Sequence, residues 1–230
     1  MKLLIAALLA LSFFYSESLG QDKLKAFKFK KGEILDVILL TPAPNSKAGF
    51  ERYKKTAFPV AFEYSYQPQP GFKVSKLTLG NYSPASLLIG KWESKNKRES
   101  FIQDISDRVP DFHEQRREIF TYFGLAYYEI KEDFRFSVSP NKFNVATAFW
   151  KSGAGKYSAF VRKWKKEIEE AGGRTIVDLK QGRSQAGYAY NPTTFVITEW
   201  KDQADFEKFT SEHPIESYNV VQNVQQYVIK

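Results

Sequence analysis

His113 and His213 are the only imidazoles in this chain of 230 residues, and it contains no cysteine. Two imidazoles and no thiolate leave little for a transition-metal centre, so no metal site is expected. An imidazole can still move a proton near neutral pH, which makes His113 and His213 the candidate catalytic residues. The competing reading is that each is a half-buried or surface histidine. The letters Gly182-Arg183-Ser184-Gln185-Ala186 resemble a nucleophile elbow. An elbow needs a helix directly after its serine, and a loop rich in Gly, Tyr, Asn and Pro follows here, so serine chemistry is set aside. Gly153-Ala154-Gly155 lacks the Gly-Lys-Thr of a phosphate loop and reads as a turn.

Polar residues within otherwise apolar strands form a second set of candidates. Asp36 and Asn144 stand at equivalent places 108 residues apart, and so do Lys91 and Glu199. A charge inside a packed sheet is costly unless it is paired or hydrogen-bonded. Lys91 and Glu199 therefore either meet and lock the two halves together, line a ligand pocket, or reach water at strand ends. Trp150, Tyr188 and Tyr190 sit at loop ends, where they could rim a pocket suited to a flat or apolar molecule. With 20 Phe, 13 Tyr and 4 Trp, most of the aromatic residues must be core.

The elements that would position these residues repeat. Leu88-Ile89-Gly90-Lys91-Trp92-Glu93 matches Val196-Ile197-Thr198-Glu199-Trp200-Lys201, and Ile34–Ile38 matches Lys142–Ala146 at the same offset. Residues 33–131 read as one βαββαβ unit and 142–230 as another, with 132–141 as the join. In the second unit, Tyr157, Phe160, Val161, Trp164 and Ile168 fall at helical spacing, and Gly172-Gly173 stops that helix. In the first unit a helix over 48–61 is expected to break at Phe58-Pro59, since proline lacks the N–H donor. Neither unit's strands alternate cleanly between apolar and polar residues, so both faces of each sheet are expected to be buried. Stacking the two sheets through their open faces meets that requirement. The fold expected is α+β: two tandem ferredoxin-like βαββαβ units forming one pseudo-dimeric α/β barrel.

This order of elements, with Lys91-Trp92-Glu93-Ser94 and Glu199-Trp200-Lys201-Asp202 each leading into an aromatic-bearing helix, resembles the dimeric α/β-barrel superfamily. That group includes antibiotic-monooxygenase-like and small stress-responsive domains. The resemblance covers most of residues 33–230 and implies a duplicated, single-chain form of the barrel. For activity it implies cofactor-independent oxygenation or isomerisation, with His113 or His213 as the proton carrier. Haem-degrading relatives carry a histidine and a tryptophan on the second helix. Here Phe209 stands at the tryptophan's place and the histidine position falls near Asn219, so no cofactor is assigned.

The N-terminus reads as a leader. Lys2 is followed by an uncharged apolar run, Leu3–Tyr15, then by a short polar stretch with Ser18 and Gly20 before Gln21. Residues 1–20 are therefore expected to be a cleaved signal peptide, and the rest of the chain to be exported to a periplasm or the extracellular space without a later transmembrane span. The formal net charge is +8. Residues 21–32 concentrate Lys23, Lys25, Lys28, Lys30 and Lys31 among Leu24, Phe27 and Phe29. They are either a strand edge guarded by lysines or an anchor for an anionic surface. Nucleic acid is not expected as a partner outside the cytoplasm. Two functions follow: a barrel binding a small apolar or aromatic molecule, with or without turnover, or a non-enzymatic exported accessory protein that binds a polymer or protein through its basic face.

Overall fold

A computed structural model describes residues 23–153, 155–184, 190–215 and 219–230. The expected leader lies outside that range. In chain order the elements are β1 (Lys25–Phe29), β2 (Ile34–Pro42), α1 (Lys47–Glu63), β3 (Gln67–Pro68), β4 (Phe72–Leu79), β5 (Ser86–Trp92), α2 (Lys95–Arg108), α3 (Phe112–Ile119) and β6 (Phe120–Glu129). There follow β7 (Phe134–Val138), β8 (Phe143–Lys151), α4 (Tyr157–Glu170), β9 (Arg174–Lys180), β10 (Thr194–Trp200), α5 (Gln203–Glu212) and β11 (Val221–Ile229). Mixed helix and antiparallel sheet make the fold α+β, as expected.

The main sheet runs β6-β2-β5-β4-β11-β8-β10-β9. Numbering each unit's strands one to four, both halves read 4-1-3-2, the ferredoxin-like order. The halves join where β4 pairs with β11. At the far edges, the one bridge among the described residues joins Tyr127 of β6 to Arg183 in the loop after β9, and its two backbone hydrogen bonds measure 2.8 and 3.0 Å.

Three cores follow from this layering. Leu35, Val37, Leu39, Ala146, Ala148, Phe195, Ile197 and Tyr227 fill the interior between the two half-sheets. Ile34, Ile38, Leu40, Trp92, Phe101 and Phe112 lie under the first unit's helices. Val145, Phe149, Trp164, Trp200 and Phe209 lie under the second unit's helices. Burial on both faces explains why β2 reads as an almost unbroken apolar run.

Three local expectations change. The helix at Pro59 does not break: α1 is continuous through it. Pro59 and Lys55 are both exposed, so the Lys55 carbonyl that loses its helical donor faces water. Residues 132–141 carry the strand β7 rather than a bare join. β7 pairs with β1 in an antiparallel ribbon, so the lysine-rich segment guards no edge of the barrel sheet. The ribbon turns Phe27, Phe29, Phe136 and Val138 into the interior core. It is tied down by Lys25 Nζ donating to the Lys230 carbonyl at 3.2 Å and Gly32 N–H donating to the Ile130 carbonyl at 2.8 Å.

Candidate functional site

The strongest polar feature of the interior lies in the first unit, between the helices and the sheet. Asp36 leaves β2 on the helix side. One carboxylate oxygen accepts from Arg98 Nε at 2.7 Å, and the other accepts from Trp92 Nε1 at 2.8 Å. Both members of the ion pair are almost fully buried, at 3% and 2% side-chain exposure. The Arg98 guanidinium lies 3.9 Å from the centre of the Tyr127 ring, a stacked cation–π contact. Tyr127 in turn donates its hydroxyl to Glu99 at 2.8 Å. Local sequence makes this possible: Ser94 caps α2 by accepting from the Lys97 N–H, which fixes the helix start four residues before Arg98.

Asp36 and Arg98 stand in the wall of a small cleft with a cavity volume of about 90 Å³. Ile38, Leu40, Phe50, Ala57, Leu88 and Phe101 give it an apolar surface, with Tyr53, Tyr66 and Arg116 as further polar groups. Arg116 Nε donates to the Tyr53 hydroxyl at 2.8 Å, and its guanidinium packs 4.1 Å from the Phe112 ring centre and 4.4 Å from that of Phe123. The Tyr66 phenol is held well above its usual ionisation range, first by burial and then by the Asp36 charge. Chemically the cleft offers aromatic faces and oriented donors to a flat, largely apolar molecule.

The second unit carries the same scaffold without the charges. Trp92 is opposite Ile34 in the β2–β5 register, and Trp200 is opposite Phe143 in the β8–β10 register. Two residues along each first strand, Asp36 therefore corresponds to Val145. Arg98 lies four residues past its cap Ser94, and Phe206 four past Asp202, whose side chain caps α5. Phe101 packs against Trp92 at 5.1 Å and 40°; Phe209 packs against Trp200 at 4.9 Å and 37°. Trp200 Nε1 finds its acceptor in Thr198 at 3.0 Å.

This register corrects the pairing of Asp36 with Asn144. One residue of slip turns a strand side chain to the opposite face. Asn144 therefore sits on the barrel side, opposite Glu199 and Ile229. Its amide donates to the carbonyls of Ser139 and Lys142 at 2.8 and 3.0 Å, so it pins the chain before β8. Lys91 and Glu199 do not meet. Lys91 pairs with Glu33 at 2.8 Å and Glu199 with Arg174 at 2.9 Å, each within its own unit. Trp150 packs edge-on against Tyr190 at 5.5 Å, against the interior core and outside the lining of either cleft. Tyr188 lies outside the described residues.

The histidines separate. His113 packs against the Phe112 ring and lines neither cleft; burial, then the charges of Arg116 and Arg117, lower its basicity. His213 lines a second cleft with a cavity volume of about 270 Å³, together with Thr78, Phe143, Phe209, Thr210 and Gln226. Its Nδ1 lies 3.4 Å from Glu167 Oε1, and its ring stacks on Phe209. No haem site is assigned: among the described residues the first cleft's lining holds no histidine, and Trp164, Trp200, Phe206 and Phe209 pack together beneath the second unit's helices. No group of three His, Cys, Asp or Glu residues placed to hold a metal ion occurs among the described residues. Arg98 and Arg116 went unnoticed in the sequence, where each reads as an ordinary charge on a polar helix. The signal that could have found Arg98 is its difference from Phe206 at the matched helix position.

No protein-family model matches the chain, and no curated protein matches it in sequence. Solved structures do match in shape. Chlorite dismutase from Candidatus Nitrospira defluvii, in complex with imidazole, is 6% identical, with 88% of this chain and 92% of that chain covered at a TM-score of 0.51. An anthrone oxidase-like protein is 14% identical over 89% of this chain and 94% of its own, with a TM-score of 0.45. A Fusobacterium nucleatum subsp. nucleatum protein provisionally named a monooxygenase is 11% identical over 88% and 93%, with a TM-score of 0.46. At these identities what is shared is the α+β fold alone.

Proposed function

We propose that this chain is an exported α/β-barrel protein that binds a small apolar or aromatic molecule in the cleft of its first unit. One observation carries the reading: the Asp36–Arg98 pair stands where the second unit has Val145 and Phe206. A buried ion pair contributes little net stability, and apolar residues of similar volume often do as well or better. The second unit builds the same layer with apolar residues, so the fold itself does not require the charges. Their place in the wall of an apolar cleft supports a binding role. The two units read as diverged copies, of which the first keeps this site. Proteins of similar fold carry names such as anthrone oxidase-like, which agrees with a flat aromatic ligand.

The test is a thermal-shift titration of residues 21–230 with naphthol-, quinone- and anthrone-type molecules. A ligand that binds only the native state raises the melting temperature with concentration. The expected result is a dose-dependent rise that disappears in the double variant Asp36→Val, Arg98→Phe. No rise with any of these classes, or an equal rise in the double variant, would sink the reading. Export is tested separately by sequencing the N-terminus of the protein recovered from its native host, with Gln21 expected first.

A second reading, proton transfer at the second cleft, rests on the pairing of His213 with Glu167. A carboxylate beside one ring nitrogen orients an imidazole for work as a general base through the other. Oxygenation or isomerisation of a bound carbon acid would use His213 in this way. Turnover that survives in His213→Ala would remove this reading and leave the binding reading intact.

A further inference from the structure

The outward face of the β1–β7 ribbon is the most unusual surface of the molecule. In the antiparallel register Lys28 lies directly opposite Arg135. Both are exposed, and among the described residues neither forms an ion pair. Like charges placed directly across a strand pair repel, and the fold gains nothing from keeping them there. Residues Leu24, Ala26, Lys28 and Lys30 alternate with the inward-facing Phe27 and Phe29, so they share the solvent face. Leu24 is 59% exposed, against 36% for Phe62, the only other large apolar side chain noted as exposed among the described residues. The strip is thus an apolar side chain set beside Lys28, Lys30 and Arg135, with the exposed Lys23 before its start. It begins eight residues beyond Tyr15, the end of the apolar N-terminal run.

We propose that this face docks on a bilayer surface rich in anionic lipid headgroups. Each exposed lysine or arginine near such a surface is attracted to the headgroup charge, and an exposed leucine beside them can enter the interface. An acidic polysaccharide would match the cations but gives no reason for Leu24 to stand in water. The ribbon is a firm platform, because its inner face is embedded in the barrel core and its ends are hydrogen-bonded to Lys230 and Ile130.

The experiment is co-sedimentation of residues 21–230, which contain every element and all three cores, with phosphatidylcholine vesicles with or without about one-third phosphatidylglycerol. Binding is expected only to the anionic vesicles and should fall as salt is raised. Reversing both charges, Lys28→Glu with Arg135→Glu, should weaken binding by more than about tenfold. Lys28→Glu alone separates docking from folding. It replaces a repulsive cross-strand pair with an attractive one, so the melting temperature should hold or rise while vesicle binding falls. Leu24→Ser should weaken binding at every salt concentration. Equal binding to neutral and anionic vesicles overturns the proposal. So does binding indifferent to the charge reversals, or retention by a sulfated polysaccharide with no vesicle binding.

Discussion

Arg98 and Phe206 occupy the same position of two matching helices, each four residues past the capping side chain, and only Arg98 carries a charge into the layer beneath. Its partner Asp36 is matched in the same way by Val145. The second unit is therefore an internal control for the first. Asp36→Val alone leaves the buried Arg98 without its carboxylate and should cost about 3–5 kcal/mol. Adding Arg98→Phe should restore most of that loss. Urea denaturation of the two single variants and the double variant measures the coupling.

Gly90 lies opposite Asp36 on the neighbouring strand. A Cβ there would stand 2.8 Å from the Tyr66 ring and 3.2 Å from the Asp36 Cβ. Gly90→Ala should force Tyr66 into the cleft and cost about 1–3 kcal/mol, the usual penalty for overpacking. Ligand affinity should fall together with stability. A variant with unchanged melting and unchanged ligand response would show that Tyr66 has room to move.

Among the described residues, three fully buried phenols lie in the barrel interior: the hydroxyls of Tyr190 and Tyr227 are 3.2 Å apart, and the Tyr128 hydroxyl has no hydrogen-bond partner. Tyr128→Phe should leave stability at neutral pH unchanged or raise it by up to about 1 kcal/mol, because it removes an unsatisfied polar atom.

The same phenols set the alkaline limit of the fold. Burial raises the ionisation of Tyr128, Tyr190 and Tyr227 above the ordinary 10.0. The unfolded chain loses these protons first, so above that pH it binds fewer protons than the native state. Stability should therefore be full below about pH 10 and fall as pH rises beyond it. Denaturation curves across that range should be steeper for the parent than for a variant with phenylalanine at Tyr128 and Tyr227. Equal slopes would mean that lysines alone govern alkaline unfolding.

His213→Ala should remove the stack on Phe209 and enlarge the second cleft. If this cleft takes a ligand of its own, the variant should change the thermal response to that ligand and leave the first cleft's response intact. A loss of both responses would show that the two sites are coupled.

The paired tryptophans made the architecture readable. Trp92 and Trp200 lie on equivalent strands, and strand 174–180 and the cap Asp202 stand where the patterns placed them. The faces were not readable to the same degree. Trp92 and Trp200 are 108 residues apart, but Ile34 and its counterpart Phe143 are 109 apart. That one extra residue is invisible in short apolar runs buried on both sides, where either face accepts the same side chains. Asp36 was therefore read as a polar residue within a buried strand but matched to the wrong position of the second unit. Arg98 was missed because helix periodicity marks apolar faces, and a buried arginine looks polar on paper. The ribbon was missed because both of its strands are short and lie about a hundred residues apart.

The two seams of the barrel are unequal. One is the β4–β11 ladder; the other, among the described residues, is the bridge from Tyr127 to Arg183 in the loop after β9. Mechanically the first is a hinge and the second a latch. Fluctuations that part the halves begin at the latch, and they bare the edges of β6 and β9 long before β4 leaves β11. Amide exchange should report this as a gradient around the circumference, fastest at Tyr127 and Arg183 and slowest along β8 and β11. Tyr127 also carries the stacked guanidinium of Arg98. A ligand that shifted Arg98 would therefore bear on the catch that keeps the barrel shut.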